Sequence, residues 1–246
     1  FKTSGEATSA AEERFYTPLS YTDPFGSITT VTHDAHYLFM NSVKDPAGNE
    51  TKVIQFSYRT LSATRLSDCN DNINAVITDE LGRVKASSIE GKDQEGDNLD
   101  GYTEITGNDE QADITAFFDA ANVAGICNSL QLQTLAHQLL AQASTRLVYN
   151  LDVIPSVVAT IVREQHSKVN PDAPLQISFE YSDGMGKIVM KKTQAEPGIA
   201  KSAVQNPDGS WTISDTDTAA SLRWVGTGRT VFNNKGNPVK QYEPYF

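Results

Sequence analysis

Few residues in this sequence stand where they could do chemistry, and the most suggestive of them lie in one acidic stretch. Asp93, Glu95, Asp97 and Glu104 fall at offsets 1, 3, 5 and 12, the ligand skeleton of an EF-hand calcium loop. Asn98 holds the offset where the tight turn needs glycine, and no helical pattern precedes Asp93. The stretch therefore reads as a solvated acidic loop, with weak adventitious calcium binding as the alternative. His33 and His36 stand three apart, which suits a metal on one helix face better than the strand and turn expected there, and no third ligand accompanies them. Gly184-Met185-Gly186 and Gly226-Thr227-Gly228 lack the strand, third glycine and following helix of a dinucleotide loop. There is no G-x-S-x-G elbow, and His137 and His166 have no recognisable nucleophile partner. No catalytic, cofactor-binding or metal-ligating residue is assigned, and the chain reads as a structural segment and not an enzyme.

The remaining aspartates share a context that points to backbone geometry. Asp23-Pro24-Phe25-Gly26, Asp45-Pro46-Ala47-Gly48 and Asp68-Cys69-Asn70-Asp71 recur 22 and 23 residues apart. Asp79 to Gly82, Asp183 to Gly186 and Asn233 to Gly236 repeat the motif without strict phase. In such a unit the Asp side chain accepts a hydrogen bond from backbone two residues on, Pro presets φ, and Gly takes φ > 0 without a Cβ clash. Asp71 stands where Gly is expected, and Asp is among the residues that tolerate the left-handed region. Each copy is predicted to be a β-hairpin tip. Carboxylate pairs for acid/base work need about 5 to 9.5 Å between them, and no spacing among these aspartates, Asp34 or Asp79 enforces that.

The elements that carry the turns alternate, as in Ile28, Thr30 and Thr32 against Thr29, Val31 and His33, so one face is expected to be apolar and the other wet. A helical insert breaks the pattern. Leu132, Leu135, Ala136, Leu139, Leu140 and Ala143 keep helical spacing behind an N-cap at Asn128, with Gln131 three residues on. A weaker helix is expected over 110–122, burying Ile114, Phe117 and Phe118. The organisation reads as a flexible segment over 1–14, hairpins over 15–90, an acidic loop and α-helical insert over 91–145, and a second hairpin segment over 146–246. Trp224 and the aromatic end at Tyr242, Tyr245 and Phe246 read as strand packing.

Composition sets the outer limits. A 246-residue chain with 39% hydrophobic content can bury a core. A net charge of -11 and a pI near 4.8 repel phosphate backbones, so nucleic acid is not an expected partner. No run approaches the roughly 18 to 20 apolar residues of a membrane helix, so direct membrane insertion is not expected either. Cys69 and Cys127 stand far apart and read as buried free thiols. The chain begins at Phe1 and ends on an aromatic, strand-like run, which reads as an excerpt of a longer protein.

The tandem turn, with an aromatic just before it at Tyr21, Tyr181 and Phe232, resembles the Rhs/YD repeat. The stretch Arg223-Trp224-Val225-Gly226-Thr227-Gly228-Arg229-Thr230-Val231-Phe232-Asn233-Asn234-Lys235-Gly236-Asn237-Pro238, running on to Tyr242-Glu243-Pro244-Tyr245-Phe246, is similar to TcB-type components of bacterial Tc (ABC) insecticidal toxin complexes. Asp97-Asn98-Leu99-Asp100-Gly101-Tyr102 and Lys191-Lys192-Thr193-Gln194-Ala195-Glu196-Pro197-Gly198 support the resemblance, which covers about residues 16–246. The resemblance implies a mainly β fold, an Rhs/YD-repeat antiparallel β-hairpin strip forming part of a hollow β-shell, with a small α-helical insertion. It implies a secreted toxin, with a TcC-type Rhs protein and its toxic C-terminal region as partners. The TcA pore component would be met through regions outside this segment. No cofactor is implied. The alternative is a YD-repeat binding module that contacts glycans or another cell. Gly48→Val or Gly236→Val is expected to cost about 1–2 kcal/mol by forcing a β-branched side chain to φ > 0, while His33→Ala leaves the thermal midpoint nearly unchanged. Thermal melts showing the reverse ranking contradict the turn assignment.

Overall fold

The computed structural model describes residues 5–92, 95–121, 127–218 and 222–245. A short helix, α1 (Thr8–Glu13), precedes seven strands, β1 (Ser20–Thr22), β2 (Ile28–His33), β3 (Met40–Lys44), β4 (Glu50–Ser57), β5 (Ser62–Ser67), β6 (Ile73–Thr78) and β7 (Val84–Gly91). Two helices follow, α2 (Asn108–Ala121) and α3 (Ser129–Leu140). The chain then forms β8 (Thr145–Asn150), β9 (Ser156–Arg163), β10 (Leu175–Ser182), β11 (Ile188–Ala195), β12 (Ile199–Gln205) and β13 (Trp211–Asp217). It ends in β14 (Arg223–Gly226), β15 (Thr230–Phe232) and β16 (Pro238–Gln241).

The main body is a 12-stranded sheet in the order β1 to β11 and then β14, with every neighbouring pair antiparallel. The β12–β13 and β15–β16 hairpins form two-stranded sheets of their own. The helical insert does not interrupt the strip. It leaves the end of β7 and returns to β8, and those strands pair directly through Ala86↔Arg146 and Ser87↔Thr145. Ladder pairing is satisfied without the insert, so the insert is free to fold over one face.

That face is built by strict alternation. In β9 the residues Val157, Ala159, Ile161 and Arg163 are buried while those between them are not. Register aligns Ile161 with Ile177 of β10, and Ala159 with both Val148 of β8 and Phe179 of β10. Onto this patch α2 and α3 press Ile114, Phe117, Leu132, Leu135, Ala136, Leu139 and Leu140, one contiguous apolar cluster. Phe118 packs beside the cluster, and the α3 N-cap Asn128 accepts a hydrogen bond from the Gln131 N–H at 3.2 Å. Helix α2 starts two residues earlier than its pattern suggests, and Asn122, its expected last residue, lies outside the described residues.

Over the first strands the apolar side is the other one. Arg65, Ser67 and Ser42 lie in register with the helix face, whereas the opposite face carries Val31↔Val43 and Val53↔Leu66. A pleated sheet presents alternate residues to opposite sides, so hydrophobic residues of the other parity give the strip an apolar face on its other side.

Two expectations are corrected here. Of the segment expected to be flexible, residues 1–4 lie outside the described residues and the rest is not simply a tether. Thr8–Glu13 is helical, Ala11 and Arg14 are buried, and the Arg14 guanidinium holds Glu6 at 2.8 Å. The run Ala10-Ala11-Glu12-Glu13 has high helix propensity, and the guanidinium fastens the turn. Cys69 is exposed, because it occupies a turn tip, and Cys127 is half-buried; both thiols are free. Phe117 stands fully buried with ring centroids 5.5 Å from Phe118 and 6.0 Å from Phe179. Phe117→Ala is expected to cost about 3–5 kcal/mol, read as a lower urea midpoint; a loss under 1 kcal/mol contradicts a core centred on this ring.

Candidate functional site

The turns share one geometry. At the first, the Gly26 N–H donates to the Asp23 carbonyl at 3.0 Å, the Asp23 N–H donates to the Ser27 carbonyl at 3.0 Å, and Gly26 has φ +87. The Asp23 carboxylate accepts from the Phe25 and Ser27 N–H groups, each at 2.8 Å. This is a type I turn closed by a left-handed residue, a three-residue loop whose twist matches the strands it joins. The same pair of backbone bonds closes Asp45 to Gly48, Asp68 to Asp71, Asp79 to Gly82, Asp183 to Gly186 and Asn233 to Gly236. Positive φ falls on Gly48, Asp71, Gly82, Gly186 and Gly236. Hydrogen bonds hold the carboxyls of Asp23, Asp45 and Asp68 below the ordinary value, the largest coming from the Ser27 N–H, the Asn49 side chain and the Asn72 side chain. At Asp79 burial works against ionisation, but the Arg83 N–H and guanidinium outweigh it and the carboxyl is again held low.

Two further turns of this kind are present, of which the one at Asn206 is not among those expected from the sequence. Asn206-Pro207-Asp208-Gly209 joins β12 to β13 with the same bonds and φ +83 at Gly209. Its proline and glycine were a legible signal. Asp34 closes a longer loop, accepting from the Leu38 N–H at 2.7 Å and the Phe39 N–H at 2.8 Å, while Tyr37 takes φ +55. No glycine marks that loop. His33 and His36 pack there against Tyr37 and Tyr58 at 6.0 and 5.9 Å between ring centroids.

The acidic stretch folds differently from a solvated loop. Asp97 is buried and accepts from Ser144 Oγ at 2.6 Å, the Ser167 N–H at 2.6 Å and His166 Nδ1 at 3.1 Å, with Arg163 Nε 3.7 Å away. Glu104 turns to Arg59 at 3.2 Å. Asp93 lies outside the described residues. The shape that brings offsets 5 and 12 of a calcium loop together is thus replaced by two separate ion pairs. Among the described residues no group of three or more His, Cys, Asp or Glu side chains could hold a metal ion.

A second buried knot fastens α2. Glu110, in its first turn, accepts from Lys85 Nζ and Arg146 Nη2, each at 2.7 Å, and both cations are buried. Lys85 reaches this side because the register slips between Thr78↔Val84 and Ile77↔Ala86, leaving it in a bulge. Arg146 also lies 5.5 Å from the Tyr102 ring centroid. The Tyr102 hydroxyl donates to the Leu139 carbonyl at 2.6 Å, and burial pushes its pKa up to about 12. Neither cluster presents a nucleophile to a base. Ser144 and His166 both bond to Asp97 Oδ2, so the serine is not set against an imidazole nitrogen.

The glycine pair at Gly226 and Gly228 serves backbone approach. Gly226 exchanges both backbone hydrogen bonds with Tyr245, at 2.8 and 3.1 Å, and a Cβ on Gly228 would collide with the Tyr242 carbonyl. Trp224 packs on Phe179, 5.4 Å between ring centroids. Beside them lies an apolar cleft of about 920 Å³ lined by Phe118, Phe179, Tyr181 and Trp224.

Known structures share this architecture. A crystal structure of TcdB2-TccC3 matches with TM-score 0.63 and 24% identity, covering 94% of this chain and 10% of that one. A TcdB2-TccC3-Cdc42 structure matches at 0.60 and 21%, covering 98% and 13%, and a TcdB2-TccC3-TEV structure at 0.55 and 22%, covering 95% and 13%. The likeness is one of fold over nearly the whole of this chain, which spans only about a tenth of the chains it matches. No protein-family model and no curated protein matches the sequence.

Because its hydrogen bonds outweigh burial, the Asp97 carboxyl is held below its ordinary value of 3.8. A carboxyl depressed in the folded state contributes stability that is complete above the unfolded value and is lost as pH falls through the folded one. Asp97→Asn is therefore expected to lose about 1.5–3 kcal/mol at pH 7 and to show a shallower decline below about pH 4 than the parent. Parallel acid limbs in urea titrations contradict this role.

Proposed function

We propose that this segment is a wall element of the hollow Rhs shell of a TcB-type Tc toxin component. The supporting observation is an open, all-antiparallel strip of 12 strands, in a chain 94% of which is matched in fold by a tenth of a chain in a TcdB2-TccC3 structure. The similar ending at residues 223–246 and the turns at Asp23, Asp45, Asp68, Asp79, Asp183 and Asn233 point the same way. In this reading the segment joins a TcC-type partner to enclose that partner's toxic C-terminal region before translocation, as part of a secreted complex. Contact with a TcA pore component falls to other regions. The work is containment, and no catalytic step is assigned to any residue.

The physical basis is the sheet. An antiparallel meander adds hairpins one after another, each stabilised by its neighbours, so a strip can extend without a closed core at every strand. An open strip leaves unpaired edges, and a shell removes them by continued pairing. Among the described residues no helix is long and apolar enough to cross a membrane, and the strip needs none for this role. The longer protein containing this segment, co-expressed with a TcC-type chain, is expected to co-purify and elute as one species larger than either chain. Separate elution of the two chains overturns the reading.

A further inference from the structure

We propose that the apolar cleft beside Trp224 binds a small amphipathic anion, a long-chain carboxylate whose tail lies on the aromatic walls and whose head meets Lys192 and Arg229. The inference goes beyond the shell reading and does not depend on it.

The floor of the cleft is the helix-side face of the sheet. Register runs Asn150↔Val157, Val157↔Tyr181 and Tyr181↔Met190 along one row, and Phe179↔Lys192 and Lys192↔Gly226 along the next. Alternate residues of a strand share a face, so Tyr181, Met190 and Lys192 stand on the side where Phe179 meets the helices. Phe118 and Ala121, in the last turn of α2, and Ile154, in the loop between β8 and β9, complete the walls. Ile154 is 100% exposed, an apolar surface that a bound hydrocarbon would bury.

Charge decides what the cleft accepts. The chain carries 31 acidic side chains against 20 basic ones, so a cation with no carboxylate beside it is the unexpected case. Lys192 and Arg229 both line the cleft, and neither belongs to an ion pair among the described residues. Lys192 Nζ lies 5.8 Å from the Tyr181 ring centroid instead. Asp183 is the one carboxylate in the lining, and it is committed to its own turn, accepting from the Met185 and Lys187 N–H groups at 2.9 Å each. Small-ligand sites are concave and mainly apolar, with a few convergent polar groups in about 300–1,000 Å³. This cleft, of about 920 Å³, has that character. Phosphate sites are cradles of backbone N–H groups. Here the polar contribution is side-chain cations on hydrocarbon walls, the complement of a carboxylate with a long apolar tail.

The segment carries its own reporter and control, because Cys127 lines the cleft while Cys69 is exposed at a turn tip, and both thiols are free. In the full-length chain that contains this segment, alkylation of each cysteine by N-ethylmaleimide is followed by peptide mass spectrometry, with sodium dodecanoate added below its micelle concentration. Dodecanoate is expected to slow alkylation of Cys127 and to leave Cys69 unchanged. Dodecanol, with the same tail and no charge, and the double variant Lys192→Gln/Arg229→Gln treated with dodecanoate are each expected to need about tenfold more ligand for the same protection. An unprotected Cys127, equal protection by dodecanol, or parallel protection of Cys69 overturns the proposal. These three outcomes are read on the unsubstituted protein, so they stand even if the double variant fails to fold. A double variant that folds and is protected at the parent's dodecanoate concentration also overturns it. So does a Cys127 that reacts only after unfolding, since the cleft is then already filled by protein.

Discussion

A residue at positive φ in the fourth place of the hairpin loops that open on Asp or Asn is the constraint on which those parts of the strip depend. Three residues must reverse the chain and deliver the next strand with the right-handed twist of the last, and the left-handed residue makes that possible. Gly26, Gly48, Asp71, Gly82, Gly186 and Gly236 all hold it. The Asp or Asn at the loop's start ties the same turn from the other side, through carboxylate or amide bonds to its third and fifth residues. A loop of different length would shift the next strand by one residue and turn its buried side chains outward. The turns at Asp79 and Asp183 thus set the register on which β7 and β11 enter the helix-covered part of the sheet.

Where helices cover the sheet, buried charge fixes how they sit. Glu110 is held by Lys85 and Arg146, and Asp97 by Ser144, His166 and the Ser167 backbone. Both knots also reach the carboxyl end of α3. Tyr102 donates to the Leu139 carbonyl, and Arg163 donates to the carbonyls of Ala141 and Ala143. Those carbonyls have no partner within the helix, and a phenol and a guanidinium satisfy them where water cannot. Removing one member of such a group leaves its partner buried and unpaired, so each knot fixes a single arrangement of the insert on the sheet.

The strip therefore has two regimes. Around β7 to β11 it is two layers thick, with an apolar cluster between sheet and helices. Over β2 to β5 the face in register with the helices carries Ser42, Arg65 and Ser67, and the opposite face carries Val31, Val43, Val53 and Leu66, of which Val31 is buried. A free-standing domain buries its hydrophobic face against a second layer of its own.

Much of this was written locally and could be read locally. Turn residues act through their own backbone, so Asp23, Asp45 and Asp79 announce their hairpins, and Asn128 with Gln131 announces the start of α3. Asn206 to Gly209 is equally legible, whereas at Asp34 a turn is expected but its left-handed residue is not, because Tyr37 carries the positive φ without glycine. The fate of Asp97 could not be read at all. Its partners Ser144, Arg163 and Ser167 lie 47 to 70 residues away in sequence, and only the pairing of β7 with β8 brings them together. Local spacing determines where the chain bends and which face of an element is apolar. Which charges meet, and which side chains share a cleft, follows from long-range strand order, because no residue's neighbours along the chain specify its neighbours across a sheet.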